Sequence, residues 1–114
     1  MGIFGRNKAH PGGGPAIPTI ASATEIFVSD EISLAYISGT TAIATIRSAN
    51  TYPGRMLTFI GITATGPAFT NNNDTTTAYQ MDLGGSNRTI APNDVLRLIQ
   101  KENGTWLMLS ITDN

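Results

Sequence analysis

The chain has 114 residues, which suits one domain at most. Its 7 Lys and Arg against 8 Asp and Glu leave a net charge of −1, so no global field draws it to nucleic acid or to an anionic membrane. There is no cysteine, which removes disulfides, thiolate metal sites and cysteine nucleophiles together, and no apolar run is long enough for a membrane-spanning helix.

Residues 1–18 form an arm rather than part of a core. Gly2, Gly5, Gly12, Gly13 and Gly14 alternate with Pro11, Pro15 and Pro18, and neither residue type sustains a helix or a central strand. The arm carries Arg6, Lys8 and His10 and no acid, with Ile3 and Phe4 as a small apolar hook near its tip. It has no apolar core of the kind a secretory signal needs. Met1-Gly2 opens like an acylation site, but position 6 is Arg where Ser or Thr is required.

Residues 19–114 are expected to form a β-module. Sixteen Thr, 12 Gly and 6 Pro with only 13% charged residues favour strands and turns over helix, and no i, i+3, i+4, i+7 pattern persists for three turns. Strands are expected at residues 25–28, 34–37 and 42–46. A loop over residues 48–54 ends in Pro53-Gly54, a pair suited to the centre of a type II turn. Residues 55–62 form the longest apolar run of the first half. Shorter strands are expected at 67–70, 78–83 and 89–90, separated by the polar tip at 71–77, by Gly84-Gly85 and by a turn at 91–94. Strands at this spacing imply a compact β-sandwich or barrel, and no fixed-period repeat is visible.

The strongest local signal is Asn103-Gly104 between two alternating apolar runs, which predicts a C-terminal hairpin closed by a two-residue type I′ turn. Counting outward, Lys101 faces Trp106, Gln100 faces Leu107, Ile99 faces Met108 and Leu98 faces Leu109. Leu96, Leu98, Leu107, Leu109 and Ile111 then form the buried face. Ile99, Trp106 and Met108 fall on the other, half-apolar face and are candidates for subunit contact.

Candidate chemistry is sparse. His10 is the only histidine and has no acid nearby in sequence, so neither a catalytic triad nor a zinc site can be built on it. The eight acids show no spacing that marks a catalytic pair or a calcium loop; Asn71-Asn72-Asn73-Asp74 offers oxygen ligands without the required Glu. Gly12-Gly13-Gly14 lacks the Lys and the following helix of a phosphate loop and reads as a joint. Three Asn-x-Thr sequons, at Asn73, Asn87 and Asn103, read as turn chemistry. Trp106 opposite Lys101 suits a cross-strand cation–π contact better than a sugar platform. No catalytic residue, cofactor, metal or small-molecule substrate is expected, and the chain does not read as an enzyme.

The body resembles small β-modules of tailed-bacteriophage structural proteins. The resemblance rests on an ordered series: residues 37–46 with Gly39-Thr40, residues 53–62 opening with Pro53-Gly54, Leu83-Gly84-Gly85, residues 94–100 opening with Asp94-Val95, and a closing Gly104-Thr105-Trp106 stretch. It implies a trimeric virion component without catalytic residues. Fibre and tail proteins of this kind carry the module within a longer chain. A body of this size behind a basic arm looks more like a capsid decoration (cement) protein. The resemblance thus implies a homotrimer on the capsid surface of the virion, made in the host cytoplasm, with the major capsid protein as partner. Ile3, Phe4, Arg6, Lys8 and His10 would supply the capsid contact. The alternative reading is a carbohydrate-binding or adhesin module of a fibre or tail.

Overall fold

The computed structural model describes residues 16–72 and 77–114, and among them there are ten strands and no helix. They are β1 (Thr19–Ala21), β2 (Glu25–Phe27), β3 (Leu34–Ser38), β4 (Thr45–Arg47), β5 (Met56–Gly61), β6 (Ala68–Phe69), β7 (Met81–Asp82), β8 (Arg88–Thr89), β9 (Val95–Gln100) and β10 (Trp106–Thr112). The all-β expectation holds. Every expected strand overlaps an observed element, and β1 is the one strand that was not expected.

The arrangement is a short β-solenoid rather than the expected sandwich or barrel. Each early strand pairs not with its neighbour in sequence but with the next but one. β1, β3 and β5 lie parallel in a six-stranded sheet of order β1-β3-β5-β9-β10-β7, while β2 and β4 lie parallel in a second layer. A parallel bridge from Ile43 to Phe69 extends that second layer toward β6. The chain thus completes three turns: β1 with β2, β3 with β4, β5 with β6.

Polar side chains stitch the turns together at their corners. At one corner the Ser22 hydroxyl accepts the Thr41 N–H at 3.1 Å, and the Thr63 hydroxyl accepts the Gly39 N–H at 3.0 Å. Gly39 has φ +85°, and a Cβ there would come within 2.5 Å of Ser22 Oγ, so the corner requires glycine twice over. At the opposite corner Asn50 donates to Asp30 at 2.7 Å. Arg55 Nη2 donates to the Ser29 and Ile32 carbonyls at 2.9 and 2.7 Å. Corners and rungs differ in length, with Thr19 facing Tyr36 and Leu34 facing Thr58, so no fixed period shows in the sequence.

Between the layers lies one apolar core. Ala35, Ile37, Leu57, Phe59, Leu96, Leu98 and Trp106 meet Ile26, Val28, Ile43, Ile46 and Phe69. The rings of Phe59 and Phe69 lie 5.4 Å apart and join β5 to β6 within one turn. β9 ends the parallel winding by pairing antiparallel with β5. At that junction a Cβ on Gly61 would meet the Ala91 carbonyl oxygen at 2.2 Å, so only glycine allows the two backbones to approach this closely.

Turns at Pro form as their residues dictate. Arg55 N–H donates to Tyr52 O at 2.8 Å across Pro53-Gly54, with Gly54 at φ +91°. Asp94 N–H donates to Ala91 O at 3.0 Å across Pro92-Asn93, with Asn93 at φ +70°.

The closing hairpin departs from the expected register. Asn103 does not take the positive φ that a type I′ turn needs at both central positions; Gly104 alone does, at +85°. The turn is one residue larger, closed by Gly104 N–H to Lys101 O at 3.0 Å and Lys101 N–H to Thr105 O at 2.8 Å. Trp106 therefore faces Gln100, Leu107 faces Ile99 and Met108 faces Leu98. A bulge at Leu109 absorbs the slip, and Arg97–Ser110 and Leu96–Ile111 recover the counted pairing. A one-residue slip exchanges the faces. Trp106 turns into the core, while Leu107 and Leu109, expected inside, are 38% and 47% exposed.

Candidate interaction surface

Trp106 is the keystone of the hairpin rather than part of an outer surface. Its ring is fully buried, and its Nε1–H donates to the Ile46 carbonyl at 3.0 Å, tying β10 to the opposite layer. The cation over the ring is not Lys101 but Arg55, with its guanidinium carbon 5.7 Å from the ring centroid. Arg55 Nη1 faces Asp30 Oδ1 at 4.0 Å, and each of these two atoms has no closer hydrogen-bonding partner. Beside Trp106, buried Gln100 accepts the Tyr52 N–H at 3.1 Å and donates to Ser48 Oγ and Gly104 O at 3.3 and 3.4 Å. A subunit contact through Trp106 is therefore corrected: the residue has no exposed surface to offer.

Of the other two subunit-contact candidates, Ile99 and Met108 are both half-buried, and Met108 packs against the core. Ile99 stands at the centre of an outward-facing row. Met56 pairs with Ile99 and Ile99 with Leu107, so three apolar side chains cross three adjacent strands on one face. Met56 is 40% exposed, and Leu109 extends the patch at the bulge. Farther along, Tyr36, Ile60 and Val95 form a second, half-buried row, with exposed Arg97 between the two. Among the described residues β7 covers β10 only at Trp106 and Leu107, which leaves the rest of β10 as an open sheet edge. An apolar face beside an open edge is the kind of surface that proteins cover by association.

A second surface of different chemistry lies on the opposite layer. β2 and β4 pair Glu25 with Thr45 and Phe27 with Arg47, all facing outward over inward-facing Ile26 and Ile46. Arg47 Nε–H donates to Glu25 Oε2 at 2.8 Å, and Thr45 Oγ1–H donates to Glu25 Oε1 at 3.0 Å. These bonds, Arg47 first, hold the Glu25 carboxyl below its ordinary range. Ile46 N–H donates to Tyr79 O at 2.9 Å, so Tyr79 runs alongside β4 on the side away from β2. The Arg47 guanidinium carbon stands 5.1 Å from the Tyr79 ring centroid.

The capsid-contact candidates Ile3, Phe4, Arg6, Lys8 and His10 lie outside the described residues, as do Asn73 and Asp74 of the Asn-rich tip. Among the described residues no three His, Cys, Asp or Glu side chains gather as a metal site would require. The best-held acid is Asp94, which serves a turn. Its carboxylate accepts the Ala91 N–H at 2.8 Å and the Asn114 N–H at 2.9 Å, and those bonds, in that order, lower its pKa.

Two features escaped sequence reasoning. The outward row needed the extra residue in the hairpin turn, which pairs Leu107 with Ile99, and the bulge at Leu109 that absorbs it. The position of Phe27 was legible in principle, because Glu25-Ile26-Phe27-Val28 alternates and Ile26 and Val28 are the buried pair. No family model, curated protein or solved structure matches the chain.

Proposed function

We propose that this chain is a virion structural protein that decorates and stabilises the outer surface of a bacteriophage capsid as a homotrimer. The motif series ending in Gly104-Thr105 and Trp106 supports the reading. The observation that carries it is the outer face of the large sheet, where Met56, Ile99 and Leu107 line up beside an open strand edge. In a chain with 13% charged residues, such a face is suited to permanent cover by copies of itself. Subunit contact is assigned to Ile99 with Met56, Leu107 and Leu109, and Trp106 acts beneath them by fixing β10.

The arm then makes the capsid contact. It enters the body at Ala16, Ile17 and Pro18, beside a shallow depression shared with Ile32 and Leu34. Ile3 and Phe4 anchor on the major capsid protein, and Arg6, Lys8 and His10 supply charge. Ordering such a segment on binding costs conformational entropy, so retention rests on many copies acting together. A ligand that binds only the assembled shell raises the shell's stability by mass action.

Sedimentation equilibrium tests the assembly. A species of three times the 12.0 kDa chain mass is expected for the full chain. Leu109→Asp, at an exposed position, should dissociate it while the folded body persists. A monomer at micromolar concentration contradicts the assignment.

A further inference from the structure

We propose that the outer face formed by Phe27, Arg47 and Tyr79 is a carbohydrate-binding surface for a neutral pyranoside. Three neighbouring segments place these side chains on one rung: Phe27 pairs with Arg47 across β2 and β4, and Tyr79 borders β4 through the Ile46 N–H bond. At the usual strand spacing the rung spans about 10 Å, room for one or two sugar rings. Phe27 is the most exposed large apolar side chain among the described residues, at 55%. Its ring can take the apolar C–H face of a sugar.

The polar groups beside it suit hydroxyls. The Glu25 carboxylate offers acceptors and the Arg47 guanidinium offers its remaining N–H donors, in a geometry already fixed by their mutual bond and by Thr45. An aromatic face flanked by a preorganised planar donor and acceptor is the chemistry that orients a polyhydroxylated ring. Because Glu25 neutralises Arg47, a neutral sugar fits better than an anionic one. The contrast with the large sheet argues against a protein partner here: that face carries the aliphatic row of Met56, Ile99 and Leu107, whereas this one is aromatic, narrow and laced with hydrogen bonds.

Tyr79 adds an independent observation. Its backbone sits at φ +74°, a conformation that favours glycine or asparagine and disfavours a bulky side chain. It is held there by its N–H bond to Gly104 O at 3.2 Å and its C=O bond from Ile46. A Cβ added to Gly104 would touch Tyr79 Cε1 at 3.8 Å, so the ring lies against the hairpin turn. An aromatic ring kept at a strained position, half-buried between the Arg47 guanidinium and the hairpin turn, marks a place where the side chain matters more than the backbone's preference.

The test is an NMR titration of the full isotope-labelled chain with methyl glycosides of glucose, galactose, mannose and N-acetylglucosamine and with their disaccharides. At least one should give saturable shifts centred on the amides of Phe27, Arg47 and Tyr79. Phe27→Ala and Tyr79→Asn should each weaken that binding about tenfold or more. Tyr79→Asn should keep or raise the unfolding temperature, because asparagine tolerates the left-handed backbone. This separates loss of binding from loss of fold. The assignment is overturned if no glycoside gives saturable shifts, or if both variants bind as the parent does. It is also overturned if the two variants abolish capsid binding while no sugar shifts these amides, since the surface would then be a protein contact. The capsid reading does not depend on the sugar titration; loss of capsid binding in these variants would move the capsid contact from the arm to this surface.

Discussion

The three parallel turns and the antiparallel hairpin that closes them are held in different ways. Through the turns, stabilisation is spread out: apolar pairs cross between layers, and each corner carries its own hydrogen bond, at Ser22 with Thr41, Gly39 with Thr63 and Asp30 with Asn50. In the hairpin it is concentrated. Trp106 donates to the Ile46 carbonyl of the opposite layer, Gln100 beside it bonds Tyr52, Ser48 and Gly104, and Arg55 reaches over the Trp106 ring from the neighbouring corner of the winding. Distributed contacts make a region tolerant of single changes, whereas concentrated ones make a few positions decisive.

Substitutions can break or sharpen that contrast. The largest effect is expected for Trp106→Ala, which empties a fully buried site and strands the Ile46 carbonyl. A loss of about 4 kcal/mol in urea unfolding is expected. Arg55→Ala should follow at about 3 kcal/mol, since it leaves Asp30 and two part-buried carbonyls without their cation. Gly61→Ala, where the winding meets β9, should cost about 2 kcal/mol by forcing the backbone away from Ala91. A corner substitution in the winding, Asn50→Ala, should cost about 1 kcal/mol or less by the same measurement. If Asn50→Ala proves as damaging as Trp106→Ala, the contrast fails.

Acid provides a further check. Asp94 and Glu25 both have pKa values below their ordinary range, Asp94 through the Ala91 and Asn114 amides and Glu25 through Arg47 and Thr45. The unfolded chain therefore binds more protons than the folded one around pH 4. Their stabilisation is complete above the unfolded values and is lost as pH falls through the lower folded values. Unfolding temperature should drop on acidification below about pH 4, and the drop should shrink in Asp94→Asn. An equal drop in that variant would remove Asp94 from the account.

Much of the winding was legible because each strand's alternation is local. Ile26 and Val28, Ala35 and Ile37, Leu57 and Phe59 all point inward as their spacing requires. Which strands pair was not legible. Parallel pairing of β1 with β3 depends on corners at Ser22 and Gly39 that carry the chain to the other layer, and rungs of unequal length hide the repeat. At the hairpin, the identity of the turn residues was clear but their conformation was not. One extra residue in the turn and one at the Leu109 bulge cancel over the whole hairpin, yet between them they invert the faces. The candidate surfaces inherited that uncertainty: Ile99 keeps an outward place, whereas Trp106 moves into the core.

The large sheet's aliphatic outer face and the aromatic rung on the other layer carry separate proposals, and the proposed capsid decoration adds a claim of its own, that the arm holds the body on the particle. The most direct test of that central claim is co-sedimentation with undecorated capsids, comparing the full chain with a variant lacking residues 1–14. The account predicts saturable binding and a higher shell-disruption temperature for the full chain, with neither for the truncated variant, whose own unfolding temperature stays unchanged. Equal binding by the two would contradict it.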